Sequence, residues 1–176
     1  MKNKLFFFFN ILGLFYLIFL GNASAGINIF SEPRYLPQSK IISQNGTEFK
    51  LSDFHGNFVL AHFWSRDCAP CVKELRGLNT FHNKVKKDGI RLILISPKDE
   101  WFDSKEQLRF LQRYGASDLE FYVEDGNLSS DFGIFTTPHT VIINAKGLEI
   151  GRLRGSETWN RQKVINYVRN LKENSM

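Results

Sequence analysis

The sequence predicts an α/β fold in which a central mixed sheet is flanked by helices, and three observations predict it. Short runs rich in apolar and aromatic residues at 58–64, 90–95, 120–123 and 140–143 alternate with stretches whose apolar residues recur at helical spacing. The chain closes on a hairpin pattern followed by an amphipathic stretch, near 149–154 and 158–172. Its two cysteines, Cys68 and Cys71, stand between the first apolar run and the helical stripe that follows it.

Residues 1–25 stand apart from this pattern. Lys2 and Lys4 precede an apolar stretch at 5–20 interrupted by Asn10, and Ala23-Ser24-Ala25 supplies the small residues that a signal peptidase reads. A signal peptide is the expectation. The alternative is an uncleaved anchor, because the apolar stretch falls just short of the roughly 17 to 25 residues that a membrane helix needs. Either reading places the body of the protein in the periplasm or another extracytoplasmic space, with the N-terminal segment as its tether to the inner membrane in the second case. Cleavage after Ala25 would leave residues 26–176, enough for one well-buried core: a short segment at 26–36, then a single domain at 37–174.

With 43% hydrophobic and 23% charged residues the composition is that of an ordinary globular protein. Without Lys2 and Lys4 the 23 basic residues become 21 against 18 acidic ones, too small an excess to argue for nucleic acid. The basic residues of the last segment, among them Arg161, Lys163, Arg169 and Lys172, are interleaved with acids and Asn, as on a solvated helix face.

Taken in order, residues 40–43 and 47–51 flank Asn45-Gly46, a hairpin signal. Residues 58–64 read as a strand buried on both faces. Pro70 has no N–H to lose in a first helical turn, and Val72, Leu75, Leu78, Asn79 and Val85 continue a roughly helical stripe from there. A right-handed crossover then sets the strand at 90–95 parallel to the first. Leu108, Phe110, Leu111 and Tyr114 mark a helix entered near Ser104 and ended by Gly115; a short strand at 120–123 and one helical turn at 128–132 follow. The hairpin at 140–143 and 149–154 turns at Asn144-Ala145-Lys146-Gly147, and Trp159, Val164, Ile165, Val168 and Leu171 supply the apolar side of the last helix.

Two cysteines in an exported chain often form a structural staple. Here the bond would close a loop of only four residues, for which chain entropy supplies about 2 kcal/mol before any strain in so tight a ring is subtracted. A redox pair fits this spacing better, with one thiolate attacking and a second thiol resolving the mixed disulfide. Cys68, at the mouth of the helix, suits the first role and Cys71, one turn further in, the second. The resolving thiol gains from a nearby base. Glu74 is a candidate, the alternative being a solvated first-turn acid; His62 is a candidate proton shuttle, the alternative being a hydrogen-bonded core residue.

The motifs resemble a known family. Leu51-Ser52-Asp53-Phe54-His55-Gly56, Phe63-Trp64, Cys68-Ala69-Pro70-Cys71 with Glu74, then Phe132-Gly133-Ile134, Thr137-Pro138, Val141-Ile142-Ile143-Asn144 and Gly147 are similar to the thioredoxin-like TlpA/ResA family of exported thiol-disulfide oxidoreductases. The likeness runs over residues 37–172. It implies a thioredoxin-like fold with an N-terminal β-hairpin and a central helix-strand insertion at 97–123. It also implies a cis Thr137–Pro138 peptide facing the cysteines, Glu74 serving the redox pair, and Thr137, Pro138 and Trp64 contacting substrate. No cofactor or metal is implied beyond a redox-active Cys68–Cys71 disulfide. The implied partners are protein thiols and disulfides, including apocytochrome c in cytochrome c biogenesis or the copper-binding cysteines of oxidase assembly, and a membrane thiol-electron donor, with the protein itself a monomer.

Three departures stand out: Asp67 where the family often has Trp, His62 where thioredoxins bury Asp and this branch often has Asn, and His139 after Pro138. The absence of His between the cysteines favours reduction over oxidation, since strongly oxidising relatives commonly carry one there. A different class is a copper-binding module in which Cys68, Cys71 and a histidine, with His139 as the first candidate, hold Cu(I) without turnover. A peroxidase is disfavoured, because Ser65 stands three residues before Cys68 where Thr is expected.

Overall fold

A computed structural model describes residues 26–175. Along the chain run β1 (Ile27–Tyr35), β2 (Lys40–Ser43), β3 (Glu48–Lys50), β4 (Phe58–Phe63), α1 (Ala69–Val85), β5 (Ile90–Pro97) and α2 (Ser104–Arg113). β6 (Glu120–Glu124), α3 (Asn127–Asp131), β7 (His139–Ile143), β8 (Leu148–Arg154) and α4 (Gln162–Asn174) follow. The strands form one sheet in the order β1-β8-β7-β4-β5-β6-β2-β3, so the expected α/β architecture with a mixed sheet is present.

β4 is buried along its whole length, and its alternation assigns the two cores. Phe58 and Leu60 face one side, with Leu75, Leu78 and Phe81 of α1, Leu111 of α2, and Ile165 and Val168 of α4. Val59, Ala61 and Phe63 face the other, with Leu51, Phe54, Leu128 and Phe132. His62, two residues beyond Leu60, therefore points toward the α1 side. β5 and β6 run parallel to β4, while β7 runs antiparallel on its other flank, pairing His62 with Thr140 and Phe63 with His139. The C-terminal ends of β4, β5 and β6 and the start of β7 thus share one end of the sheet.

Where the structure departs from the sequence reading, the cause is tertiary. Residues 26–36 contain a nine-residue strand, β1, laid antiparallel on β8 at the sheet edge. Most of its side chains are exposed, so no alternation betrayed it. The last helix begins at Gln162 rather than near Thr158, because Trp159 is drawn into the core ahead of it. In the N-terminal hairpin the second strand ends at Lys50, and Leu51–Phe54 coil into a 3-10 turn that buries Leu51 and Phe54. Asn79 turns from the apolar stripe to hydrogen-bond Asp118 at 3.0 Å.

One close approach holds β1 in place. A Cβ at Gly151 of β8 would lie 2.7 Å from the carbonyl oxygen of Asn28 and 2.7 Å from Ile29 Cδ1. Gly151→Ala is expected to push β1 outward and cost about 1–3 kcal/mol, as overpacking does. Urea unfolding and amide exchange over residues 27–35 check this; unchanged midpoint and unchanged protection would contradict it.

Candidate redox site

The site forms where β4 ends and α1 begins. Cys68 is the N-cap of α1, Pro70 lies in the first turn, and Cys71 faces the core with no exposed surface. The two cysteines are joined by a disulfide with Cα atoms 5.2 Å apart, within the ordinary range. Cys68 is half-buried at the rim, and its Sγ accepts the Cys71 N–H at 3.3 Å. Across the rim the Thr137–Pro138 peptide is cis. The Thr137 carbonyl oxygen lies 3.5 Å from Cys68 Sγ, a contact the reduced thiol can turn into a hydrogen bond by donating to it. Pro138 is buried and its carbonyl accepts the Gly155 N–H at 2.9 Å, while Thr137 is exposed.

The helix that carries Cys71 also carries a buried acid. Glu74 is only 7% exposed, which removes the solvated-acid reading. Its Oε2 accepts the Glu157 backbone N–H and the Trp159 indole N–H, each at 3.0 Å. Its Oε1 lies 3.3 Å from His62 Nε2 without the alignment of a hydrogen bond, and neither atom has another partner among the described residues. His62, fully buried, is held from the other side by a 2.9 Å contact between Nδ1 and Thr140 Oγ1. The structure thus brings together His62 and Glu74, which stand 12 positions apart in the sequence, on the helix face that carries Cys71.

The other residues singled out from the sequence fall elsewhere, and Trp64 needs correction. It is fully buried, packed against Trp101 and Phe110 with ring centroids 5.7 and 5.9 Å away, so it forms core beneath the site and presents no surface to a substrate. The neighbouring Arg66 directs its charge to the segment after β5 and the start of α2: its guanidinium donates to the Glu100 carbonyl at 2.7 Å and to Glu106 Oε1 at 3.1 Å. The Phe102 N–H, contributing most, and that pairing lower the Glu106 pKa. Asp67 is exposed at the rim. His139 precedes Thr140 on β7 and so faces away from α1, and among the described residues no three His, Cys, Asp or Glu side chains converge as metal ligands. The copper-binding arrangement therefore gains no support from the geometry.

Sequence reasoning missed two groups. In the sequence Trp159 counts only as an apolar position of the last helix, whereas its indole N–H bond to Glu74 spans 85 positions, beyond any local pattern. Arg152 donates to the Phe132 carbonyl at 2.7 Å and pairs with Glu149. A bulge where the β7–β8 register shifts brings Glu149 and Arg152, three residues apart, to the same face.

His139 carries a titration consequence. Burial pushes its pKa down to about 4, and repulsion from Arg152, Arg154 and His62 adds to the effect. In the unfolded chain histidine titrates near 6.5, so between these values the unfolded state takes up a proton that the folded state refuses. Stability is expected to fall as pH drops through that window, by about 2 kcal/mol at pH 5 from this group. Urea unfolding at pH 7 and pH 5 should give His139→Gln a visibly smaller difference than the parent protein; equal differences would refute the assignment.

Comparison with known proteins places this geometry. The profile of the Redoxin family matches residues 32–171. The thiol-disulfide oxidoreductase ResA of Bacillus thuringiensis subsp. konkukian is 25% identical over 138 residues, covering 77% of this chain and 75% of that protein. Among solved structures, a thiol:disulfide interchange protein from Bacteroides sp. superposes with a TM-score of 0.64 at 21% identity, over 82% of this chain and 91% of that one. StoA from Bacillus subtilis does so with a TM-score of 0.58 at 17% identity, over 84% and 97%. The family profile spans most of the chain and the cysteine pair sits at disulfide distance, so the protein belongs to the Redoxin family and is a thiol-disulfide oxidoreductase of thioredoxin-like fold.

Proposed function

We propose that the protein works outside the cytoplasm as a reductant of disulfides in other exported proteins, with Cys68 attacking and Cys71 resolving. The observation that carries this reading is the asymmetry of the pair: Cys68 at the rim beside Thr137, Cys71 without exposed surface on the helix that also carries the buried Glu74. In the reduced protein the Cys68 thiolate, favoured by the Cys71 N–H and the N-terminal end of α1, attacks one sulfur of a client disulfide and expels the other as a thiolate. Cys71 then loses its proton and attacks Cys68 Sγ, forming the Cys68–Cys71 disulfide and releasing the second client sulfur as a thiol. Two electrons pass from the dithiol to the client, and a membrane thiol donor returns them.

Glu74, three residues beyond Cys71 on α1, is the group assigned here to take the Cys71 proton, and His62 beside it is the positioning residue. The two donors on Oε2 fix the carboxylate and leave Oε1 toward His62. The absence of His between the cysteines supports the reducing direction. Family likeness supports clients of the kind found in cytochrome c maturation or copper-oxidase assembly, a monomeric state, and export directed by residues 1–25, which lie outside the described residues. Among the described residues no helix is long and apolar enough to cross a membrane.

Two experiments test the reading. Cys71→Ser should remain covalently attached to its client after the first step, giving dithiothreitol-sensitive adducts on affinity purification without reductant, whereas Cys68→Ser should trap little; equal trapping would reverse the assigned roles. Glu74→Gln should slow disulfide exchange at least about tenfold near pH 7 and change its pH profile, and His62→Asn should shift the same limb of the profile by less. Profiles that superpose on the parent's between pH 5 and 9 would leave both residues as structural only.

A further inference from the structure

Two large apolar side chains are almost wholly exposed at the redox end of the sheet: Phe102 in the loop after β5 and Phe135 in the loop before β7, at 95% and 86%. Phe135 stands two residues before Thr137, whose carbonyl touches Cys68 Sγ. The extended-chain limit keeps the Cα atoms of Phe135 and Thr137 within about 7 Å of each other.

The loop that presents Phe135 is fastened at both ends. On the near side the Gly133 and Ile134 N–H groups donate to Ser130 and Ser129 carbonyls, each at 2.8 Å, Arg152 holds the Phe132 carbonyl, and the Ile134 side chain is buried. On the far side Pro138 is tied to Gly155. Between these anchors no backbone group among the described residues pairs with the backbone of Phe135, Thr136 or Thr137. A short segment anchored on both sides, with unpaired backbone groups and an aromatic ring that contributes nothing to the core, has few conformations to lose on binding a partner.

We infer that Phe135 is a specificity-determining residue, and that it selects extended client segments with an apolar side chain about two residues from the cysteine under attack. The inference rests on the proposed reductase reading. An extended chain advances about 3.3 Å per residue, so when a client sulfur reaches Cys68 beside Thr137, the side chain level with Phe135 lies about two positions along. The reaction is unchanged by this selection. The Cys68 thiolate attacks the peptide sulfur, the small thiol on the other side leaves, and Cys71 then releases the peptide thiol as the Cys68–Cys71 disulfide forms.

The test uses synthetic peptides with one central cysteine, each presented as a mixed disulfide with glutathione. One carries Phe two residues before and two residues after the cysteine, a second carries Ser at those positions, and a third carries Phe four residues away on either side. The reduced full domain should process the first with kcat/KM about fivefold above the second, an effect in the range of one aromatic contact, and should treat the third like the second. The difference should sit in KM. Phe135→Ser should collapse the preference toward unity. Tyr35→Ser, at an equally exposed aromatic on the opposite end of the sheet, should retain activity and preference alike. Equal rates for the first two peptides, or a preference that survives Phe135→Ser, would overturn the inference while leaving the reductase reading intact. Failure to reduce any of the three would overturn that reading and the inference with it.

Discussion

The carboxylate of Glu74 is the point on which the rest of the site hangs. It projects from α1, binds the backbone of Glu157 and the indole of Trp159 ahead of α4, and faces His62 on β4. Through Oε2 the carboxylate joins α1 to a segment more than eighty positions away, while Oε1 is turned toward β4. A buried carboxylate left without donors would cost several kcal/mol, so the segment between β8 and α4 must arrive in register for the helix carrying the cysteines to pack at all. The only acid of α1, three residues beyond Cys71, is therefore also the tie that joins this helix to the segment before α4.

The opposite face of the sheet solves a related problem with different residues. His139, Arg152 and Glu149 lie there, with Arg152 reaching the Phe132 carbonyl and its guanidinium 5.4 Å from the Phe132 ring centroid. Arg152 has its charge satisfied by Glu149, whereas His139 Nε2 has no partner among the described residues, and burial and the neighbouring guanidinium groups keep the ring neutral near pH 7. The residue after the cis proline thereby becomes part of an acid-sensitive core, even though it faces away from the cysteines.

Much of this was legible in the sequence, for reasons that particular residues make clear. β4, β5 and β7 announced themselves because each is buried on both faces, and the helix start at Pro70 followed from ring chemistry. Cys68 and Cys71 were legible through spacing. Glu74 and His62 could be named as candidates but not joined, since their contact depends on β4 alternation and helix rotation agreeing in three dimensions. Trp64 misled because an aromatic beside a redox loop looks the same in sequence whether it faces solvent or, as here, Trp101 and Phe110. β1 was illegible because a strand exposed along most of its length leaves no periodic trace.

That exposed strand has a consequence for how the molecule survives among its own substrates. An enzyme of protein disulfides meets chains whose strands are unpaired, and an open sheet edge is a template for them. Here both edges are poor templates. β1 carries Pro33, which lacks an N–H, between Glu32 and Arg34, and its pairing slips between Ile29 and Arg34. At the far edge β3 is three residues long and bounded by Glu48 and Lys50. Charge, proline and brevity turn away lateral growth at both edges, and the unpaired backbone groups of the described residues beside Cys68 lie in a loop rather than along either flank, so the sheet offers an unfolded chain little to extend.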